Sequence, residues 1–383
     1  MPAISINSTA MLTAVKLLMP LVPNNPVVPI LENLRLLAVG TTLQLAASNL
    51  EADLATETEL SDATADFDIC LPAKLLLTTL QNLPSQAITL HLDSDTYAVT
   101  LRAGKGRYRL PGENPVDWPK PSDTTAPVQV QIPGATLSYA LRQAVPFVIA
   151  NDISRPSMMA VLLDLRASEL RTVATDGHRM SWTVVPEELA QANETGQFLL
   201  PAAPARLLAA LTEKAGPLTV HLGEWLRVEG PGWQLRCRLL DERYPEYENV
   251  IPQSCPSSLV LDKQELMGCI RRVLAYAAEK TQQVGMRLSE TSSLRIWSES
   301  IEVGTEATEE VAAEYRGEEM VMGFNGKFLL ESLQLLPEGP VRFELSTPNR
   351  AALLLPAVPV PEQPRLNMMI MPVILNGVPA LAA

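Results

Sequence analysis

The sequence predicts an α+β fold built from three similar modules, each with two helices packed on antiparallel sheets. Three observations predict it. The chain has 383 residues, too long for one ordinary core when domains commonly hold roughly 100–150 residues. A short strand followed by a helix with apolar spacing opens the stretches 4–22, 128–149 and 259–280, and a second helical pattern recurs at 71–83, 200–215 and 324–336. Between the helices lie short apolar or alternating runs, the mark of antiparallel strands joined by hairpins. The repeat length, about 125 residues, is that of a whole domain rather than a solenoid unit.

Each element follows from its residues. Met11, Leu12, Val15, Leu17 and Leu18 make the apolar side of the first opening helix. Leu137, Ala140, Leu141 and Val145 do so in the second, and Leu266, Ile270, Val273 and Leu274 in the third. Spacings of three and four put such residues on one helix face. The companion helices each follow a strand and end in a turn holding Pro84, Pro217 or Pro337. Strands are expected at 34–39, 43–47, 98–101, 107–110, 161–165, 218–222, 226–229, 235–239, 294–298 and 341–345. Proline-rich joins at 111–127 and 244–256 read as boundaries, because proline removes a donor and disfavours helix just before it. The modules are therefore 1–125, 126–255 and 256–383.

Composition narrows the function. Hydrophobic residues at 47% with 19% charged describe a soluble globular chain. No apolar run reaches the ~18–20 residues of a membrane span, and the N-terminus lacks a basic region followed by an apolar core. A cytoplasmic protein is expected. Cys70, Cys237, Cys255 and Cys269 form no CxxC pair and have no neighbouring His, so they read as reduced buried thiols, with no metal and no cofactor. A net charge of −13 opposes wrapping of nucleic acid by the whole surface, yet it allows a local basic stripe. There is no GxSxG, HExxH or P-loop. His91 and His221 stand in separate strands without ligand spacing, so an enzyme is not expected.

The most informative string is RTVATDGHRM, residues 171–180. Val173-Ala174-Thr175 ends a buried strand, Asp176-Gly177 is a turn signal, and alternation resumes from His178 to Trp182. The string resembles the ATDGHR segment of the bacterial DNA polymerase III beta subunit, the sliding clamp. Further pieces in the same order are similar to that family: Ser48–Leu54, Leu71-Pro72-Ala73-Lys74, the linker at 114–120, Arg243-Tyr244-Pro245-Glu246-Tyr247, Gly323-Phe324-Asn325 and Met371-Pro372. The resemblance implies the DNA clamp fold, three similar domains per chain. It further implies that two chains join head to tail into a ring around duplex DNA, with helices lining the hole.

The resemblance also implies a pocket between the second and third domains. It takes short Gln- and Leu/Phe-containing peptides from the DNA polymerase III alpha subunit and the clamp loader. The matching positions are Met158, Thr175, Gly177, His178, Arg179, Met180, Pro245, Val250, Met369, Met371, Pro372 and Val373. Apolar walls with a few placed polar groups suit such anchors, and methionine adapts to them. His178 and Arg179 would orient the peptide. Two features depart from the family. Ile374 stands where Arg is common, and eight residues, NGVPALAA, follow the final strand and could reshape the rim.

A sliding ring needs phosphate contacts and no base contacts. The candidate cations are Lys74, Lys105, Arg107, Arg142, Arg155, Arg206 and Arg271, with Lys16, Arg102, Lys263 and Arg272 beside them. Asn24-Asn25 occupy a loop where the family often has Arg. Candidate strands for ring closure are 107–110 and 286–289. The missing cation, the acidic balance and the extension also admit a second reading: a clamp-like paralogue that binds partner peptides without normal DNA encirclement.

Overall fold

The structure, a computed structural model, describes residues 2–63, 67–120, 126–290, 292–358 and 364–375. The extension at 376–383 and the middle of the first linker lie outside them. Among the described residues the six α-helices come in pairs: α1 (Ser8–Leu18) with α2 (Ala73–Gln81), α3 (Gly134–Ala144) with α4 (Ala202–Thr212), and α5 (Lys263–Leu274) with α6 (Gly326–Leu335). The companion helices begin two residues later than periodicity suggests. Leu71-Pro72 and Phe324-Asn325 close the strands Phe67–Pro72 and Met320–Asn325. Asn325 then caps α6 from extended backbone, its side chain accepting from the N–H groups of Lys327 and Phe328. Asn7 caps α1 and Asp262 caps α5 in the same way. A side-chain oxygen at this position satisfies a backbone donor that the helix cannot.

The helices cover sheets whose strands alternate. In Thr42–Ser48 the inward Leu43 and Leu45 are wholly buried, as are Leu36 and Leu54 on neighbouring strands. Full burial of a leucine contributes roughly 1.5–3 kcal/mol. The apolar side of α1, Met11, Val15 and Leu18, is equally inaccessible.

The chain forms two compact units, Met1–Ala135 with Ala210–Leu239, and Thr136–Ala209 with Leu240–Ala383. The sheets explain why the second module divides. In the first unit, strands Val128–Pro133, Pro217–Leu222, Trp225–Gly230 and Trp233–Arg238 continue directly into Ala52–Glu59, Thr42–Ser48, Asn33–Val39 and Phe67–Pro72. The join sets Leu235 opposite Leu54. A second sheet there ends on the strand Gly106–Leu110. In the other unit one 12-stranded sheet runs from Gly196–Pro201 to Met320–Asn325. Its join pairs Arg179–Pro186 with Arg365–Ile370, setting Met180 opposite Met369.

The expected closure strand at 286–289 is overturned. It lies in Gln283–Leu288, which is hydrogen-bonded on both sides, to Ser293–Ser300 and to Met320–Asn325. Among the described residues, the open edge of this region is the first part of Thr305–Arg316. Residues 305–312 pair only with Ser293–Ser300, and the partner strand Ser257–Asp262 takes over beyond them.

Candidate partner-peptide site

One hairpin organises the site. Strands Glu169–Thr175 and Arg179–Pro186 pair with Thr175 opposite Met180, and residues 176–178 make the turn. Gly177 takes φ 86° there, a conformation that a Cβ disfavours. Asp176 Oδ1 accepts from the N–H groups of His178 and Arg179, both at 2.9 Å. Thr175 Oγ1 accepts from the Gly177 N–H at 3.1 Å and donates to the Arg179 carbonyl at 2.8 Å. Short polar side chains bonding to backbone nearby are what stabilise such turns. Thr175 therefore builds the turn, and the second strand begins at Arg179, one residue later than alternation suggests.

His178 is exposed and its ring stacks on Phe328 of α6, centroids 5.9 Å apart. Arg179 is sunk instead, only 5% exposed. Its guanidinium lies 4.8 Å from the centre of the Phe147 ring and 4.6 Å from that of Phe328. Nε donates to Asp176 at 3.1 Å, the terminal nitrogens donate to the carbonyls of Phe328 and Pro146 at 3.4 and 3.2 Å, and Glu331 pairs with it at 2.6 Å. The expectation that Arg179 orients a peptide is thus corrected, because its donors are already committed. Met180 and Met369 need the same correction. They are 0% and 4% exposed, and sit in a core cluster with Trp182, Leu353, Tyr244 and Tyr247. They hold the strands in place and do not meet solvent.

What faces solvent is a smaller set. Met371 is 39% and Val250 56% exposed; Pro245 is exposed, and Met158, Pro372 and Val373 are half-buried. The Met371 N–H donates to the His178 carbonyl at 2.8 Å, and the Val373 N–H to the Gly323 carbonyl at 2.8 Å. Gly323 is required at that crossing, since a Cβ would fall 2.7 Å from the Val373 carbonyl oxygen and 2.6 Å from the Leu375 side chain. Arg155, expected to contact DNA, is brought to this site. It pairs with Asp152 at 2.7 Å, reaches the Met158 sulfur at 4.0 Å, and lies 3.3 Å from where a Gly177 Cβ would be.

Pro245 and Val250 ride on a strap whose tyrosines point inward. Tyr247 is buried and its hydroxyl donates to Asp164 at 2.8 Å while accepting from Arg166 at 2.8 Å. Burial, chiefly, pushes that phenol's pKa up to about 12. Glu248 accepts from Arg166 at 3.0 Å and from Arg171 at 2.7 Å. The Arg166 hydrogen bond, first among several causes, holds the Glu248 carboxyl below its usual range. Phe147, Phe328 and Glu331 carried no sequence signal for this site. Their spacing marks helix faces, but only the tertiary fold decides which face meets the hairpin.

The remaining cations separate cleanly. Lys16, Arg142 and Arg271 are exposed and stand at the same distance from the first residues of α1, α3 and α5. Lys74 in α2 and Arg206 in α4 are exposed as well. Lys263 is overturned as a DNA contact: it is buried, with Nζ 3.0 Å from both the Leu336 carbonyl and Glu338. Arg272 is held in a fork by Glu309 at 2.8 and 2.6 Å. Lys105 and Arg107 lie at the hairpin leading into the edge strand Gly106–Leu110, exposed. All four cysteines are free thiols. Burial, as the leading cause, raises Cys70 and Cys269 to about 12, which leaves almost no thiolate for nucleophilic chemistry.

Three helix-paired modules, joined sheet to sheet and carrying a hairpin-borne apolar surface, define a clamp-type scaffold. Sequence models of the DNA polymerase III beta subunit match its N-terminal domain to residues 3–122, its central domain to 131–246 and its C-terminal domain to 248–373. The chain is 30% identical over 329 residues to the beta sliding clamp of Vibrio cholerae, covering 85% of this chain and 88% of that protein. It is 28% identical over 352 residues to that of Pseudomonas aeruginosa, covering 91% and 95%. The solved Pseudomonas aeruginosa DNA polymerase III subunit beta, bound to griselimycin, superposes with a TM-score of 0.91 at 26% identity, covering 98% of this chain and 100% of that one. The chain belongs to the DNA polymerase III beta subunit family.

Proposed function

We propose that this chain is a DNA sliding clamp, a non-catalytic processivity factor of the cytoplasm. Two copies close head to tail around duplex DNA, which is held without sequence preference. The modules 1–125, 126–255 and 256–383 repeat around the ring. The full-length correspondence to a beta sliding clamp at a TM-score of 0.91 is the observation that supports this most. The matched placement of Lys16, Arg142 and Arg271 supports it physically, because a repeated exposed cation contacts phosphates without reading bases. Lys74 and Arg206 add to that surface.

The hairpin site takes the Gln- and Leu/Phe-containing peptides of the DNA polymerase III alpha subunit and the clamp loader. Met158, His178, Pro245, Val250, Met371, Pro372 and Val373 make the contacts, and Gly177 lets the turn approach. Arg155 serves this rim rather than DNA. Thr175, Arg179, Met180 and Met369 support it from beneath.

The test is topological. On nicked circular DNA the protein should require a clamp loader and then resist dilution. Linearising the circle should release it. Retention on linear DNA with free ends would mean ordinary surface binding and end this reading.

A further inference from the structure

Three neighbouring strands of the 12-stranded sheet leave a trough across one face. Gly323, Gly285 and Trp297 stand directly opposite one another, in Met320–Asn325, Gln283–Leu288 and Ser293–Ser300. Directly opposed residues share a sheet face, so two bare positions adjoin an indole. The indole leans over the nearer one, where a Cβ on Gly285 would fall 2.3 Å from its ring. Leu375 fills the other, 2.6 Å from where a Gly323 Cβ would be. Here opens a pocket of about 150 Å³ whose walls include Gln283, Gly285, Trp297, Glu299, Ile301 and Leu375.

The backbone leads the chain into this pocket. The Val373 N–H donates to the Gly323 carbonyl at 2.8 Å, and Gln283 Nε2 donates to the Ile374 carbonyl at 3.0 Å. Leu375 is half-buried there. Beyond Trp297 the wall is apolar but uncovered: Ile301 is 75% exposed, and Val303 next to its turn equally so. Ile301 comes four residues after Trp297, ~13 Å at the rise of a strand. The residues after Leu375, Asn376-Gly377-Val378-Pro379-Ala380-Leu381-Ala382-Ala383, carry no charged side chain. Leu381 is six residues on from Leu375, a span of up to ~20 Å, so it can reach Ile301.

We propose that residues 376–383 dock along this trough and set Leu381 against Ile301. The segment is then a latch on the strand that bears Met371, Pro372 and Val373, and not a cover over the 176–178 hairpin. Its apolar side chains match an uncovered apolar wall. It starts from Leu375, already seated in the pocket, so docking is an intramolecular step at high effective concentration. Pro379 fixes one backbone angle and lowers the entropy that ordering must cost. The latch requires only this sheet face and this segment, and it stands apart from the clamp reading.

Two cysteine pairs in the full chain locate the segment. One combines Leu381→Cys with Ile301→Cys. The other combines Leu381→Cys with Ile153→Cys, a 95% exposed position next to Asp152 at the hairpin site. A disulfide forms only when the two Cα atoms come within about 7 Å. Under mild oxidation, with the linkage identified by mass spectrometry, the Ile301→Cys pair should close at least about tenfold faster than the Ile153→Cys pair. Adding Val378→Asp should slow it at least about fivefold, because a carboxylate resists burial on an apolar wall. Independently, a soluble paramagnetic chelate should broaden the Ile301 methyl resonance at least about twofold less in the full chain than in one cut after Leu375. Equal closure of the two pairs, faster closure of the Ile153→Cys pair, or equal broadening with and without the segment would each overturn the proposal.

Discussion

Arg179 shows how a buried residue can hold the shape of a candidate site without facing solvent. Its guanidinium is sandwiched between Phe147 and Phe328 and tied to Asp176, Glu331 and two carbonyls. His178, its neighbour, stacks on the same Phe328 ring. Removing the arginine leaves Asp176 and the Pro146 and Phe328 carbonyls short of donors, while the half-exposed Glu331 resolvates. A hydrogen bond to a charged group contributes about 1.5–3 kcal/mol, so Arg179→Ala should lose about 2–4 kcal/mol in urea unfolding. Arg179→Lys should recover less than half, because an ammonium cannot fill a planar fork between two rings. A lysine variant of parental stability would show that charge alone suffices there. His178→Ala should leave stability nearly untouched and weaken a Gln/Leu/Phe peptide by about 1–3 kcal/mol, the usual cost of a central contact.

At the scale of elements, two segments hold the site in shape, and each gives a test. The strap bearing Pro245 and Val250 is fastened through Tyr247 to Asp164 and through Glu248 to Arg166 and Arg171. Glu248 has a carboxyl pKa lowered in the folded chain, with the Arg166 hydrogen bond as the first cause. Its stabilisation is therefore complete above the ordinary carboxylate pKa and disappears as pH falls through the lowered one. The protection factor of the Ile251 amide, its exchange rate relative to the intrinsic rate at each pH, should fall on acidification in that window, and Glu248→Gln should flatten the response; unchanged pH dependence in that variant would clear Glu248 of the role. The second segment is the final strand crossing at Gly323. A methyl group there must displace Val373 and Leu375, so Gly323→Ala should weaken the peptide as much as Met371→Ala does, with the sheet intact by circular dichroism. The contrast between these segments explains what was legible beforehand. Helices and strands announce themselves by period, so six helices and the repeat could be read directly. ATDGHR marked the hairpin, because turn chemistry is local. That Arg179, Met180 and Met369 are buried, and that Arg155 lies beside Met158 and Gly177, depends on which segments meet, and no local pattern records that.

For the whole molecule the decisive question is closure, and the sheet edges make it a matter of charge. Gly106–Leu110 is the last strand of its sheet and exposes Arg107, Tyr108 and Arg109, with Lys105 just before it. The open edge at 305–312 carries Glu306, Glu309 and Glu310. An unpaired edge is a template for another chain. One basic and one acidic edge on each copy allow a heterologous contact that closes after two subunits. Single exposed ion pairs contribute only about 0.2–1 kcal/mol, so the backbone ladder must supply most of the affinity and the charges most of the selectivity. Like-charge juxtaposition, by contrast, costs several kcal/mol. Light scattering at micromolar concentration should therefore find a dimer that weakens as salt rises. Arg107→Glu with Arg109→Glu should give monomers, and so should Glu306→Lys with Glu310→Lys. An equal mixture of the two variants should restore closed dimers: each mixed pair sets glutamates against lysines at one edge contact and keeps the parental arginines against glutamates at the other, while either variant alone meets like charge at both. A parental chain that remains monomeric at low salt would remove the ring, and with it the reason for three repeats of an outward cation on α1, α3 and α5.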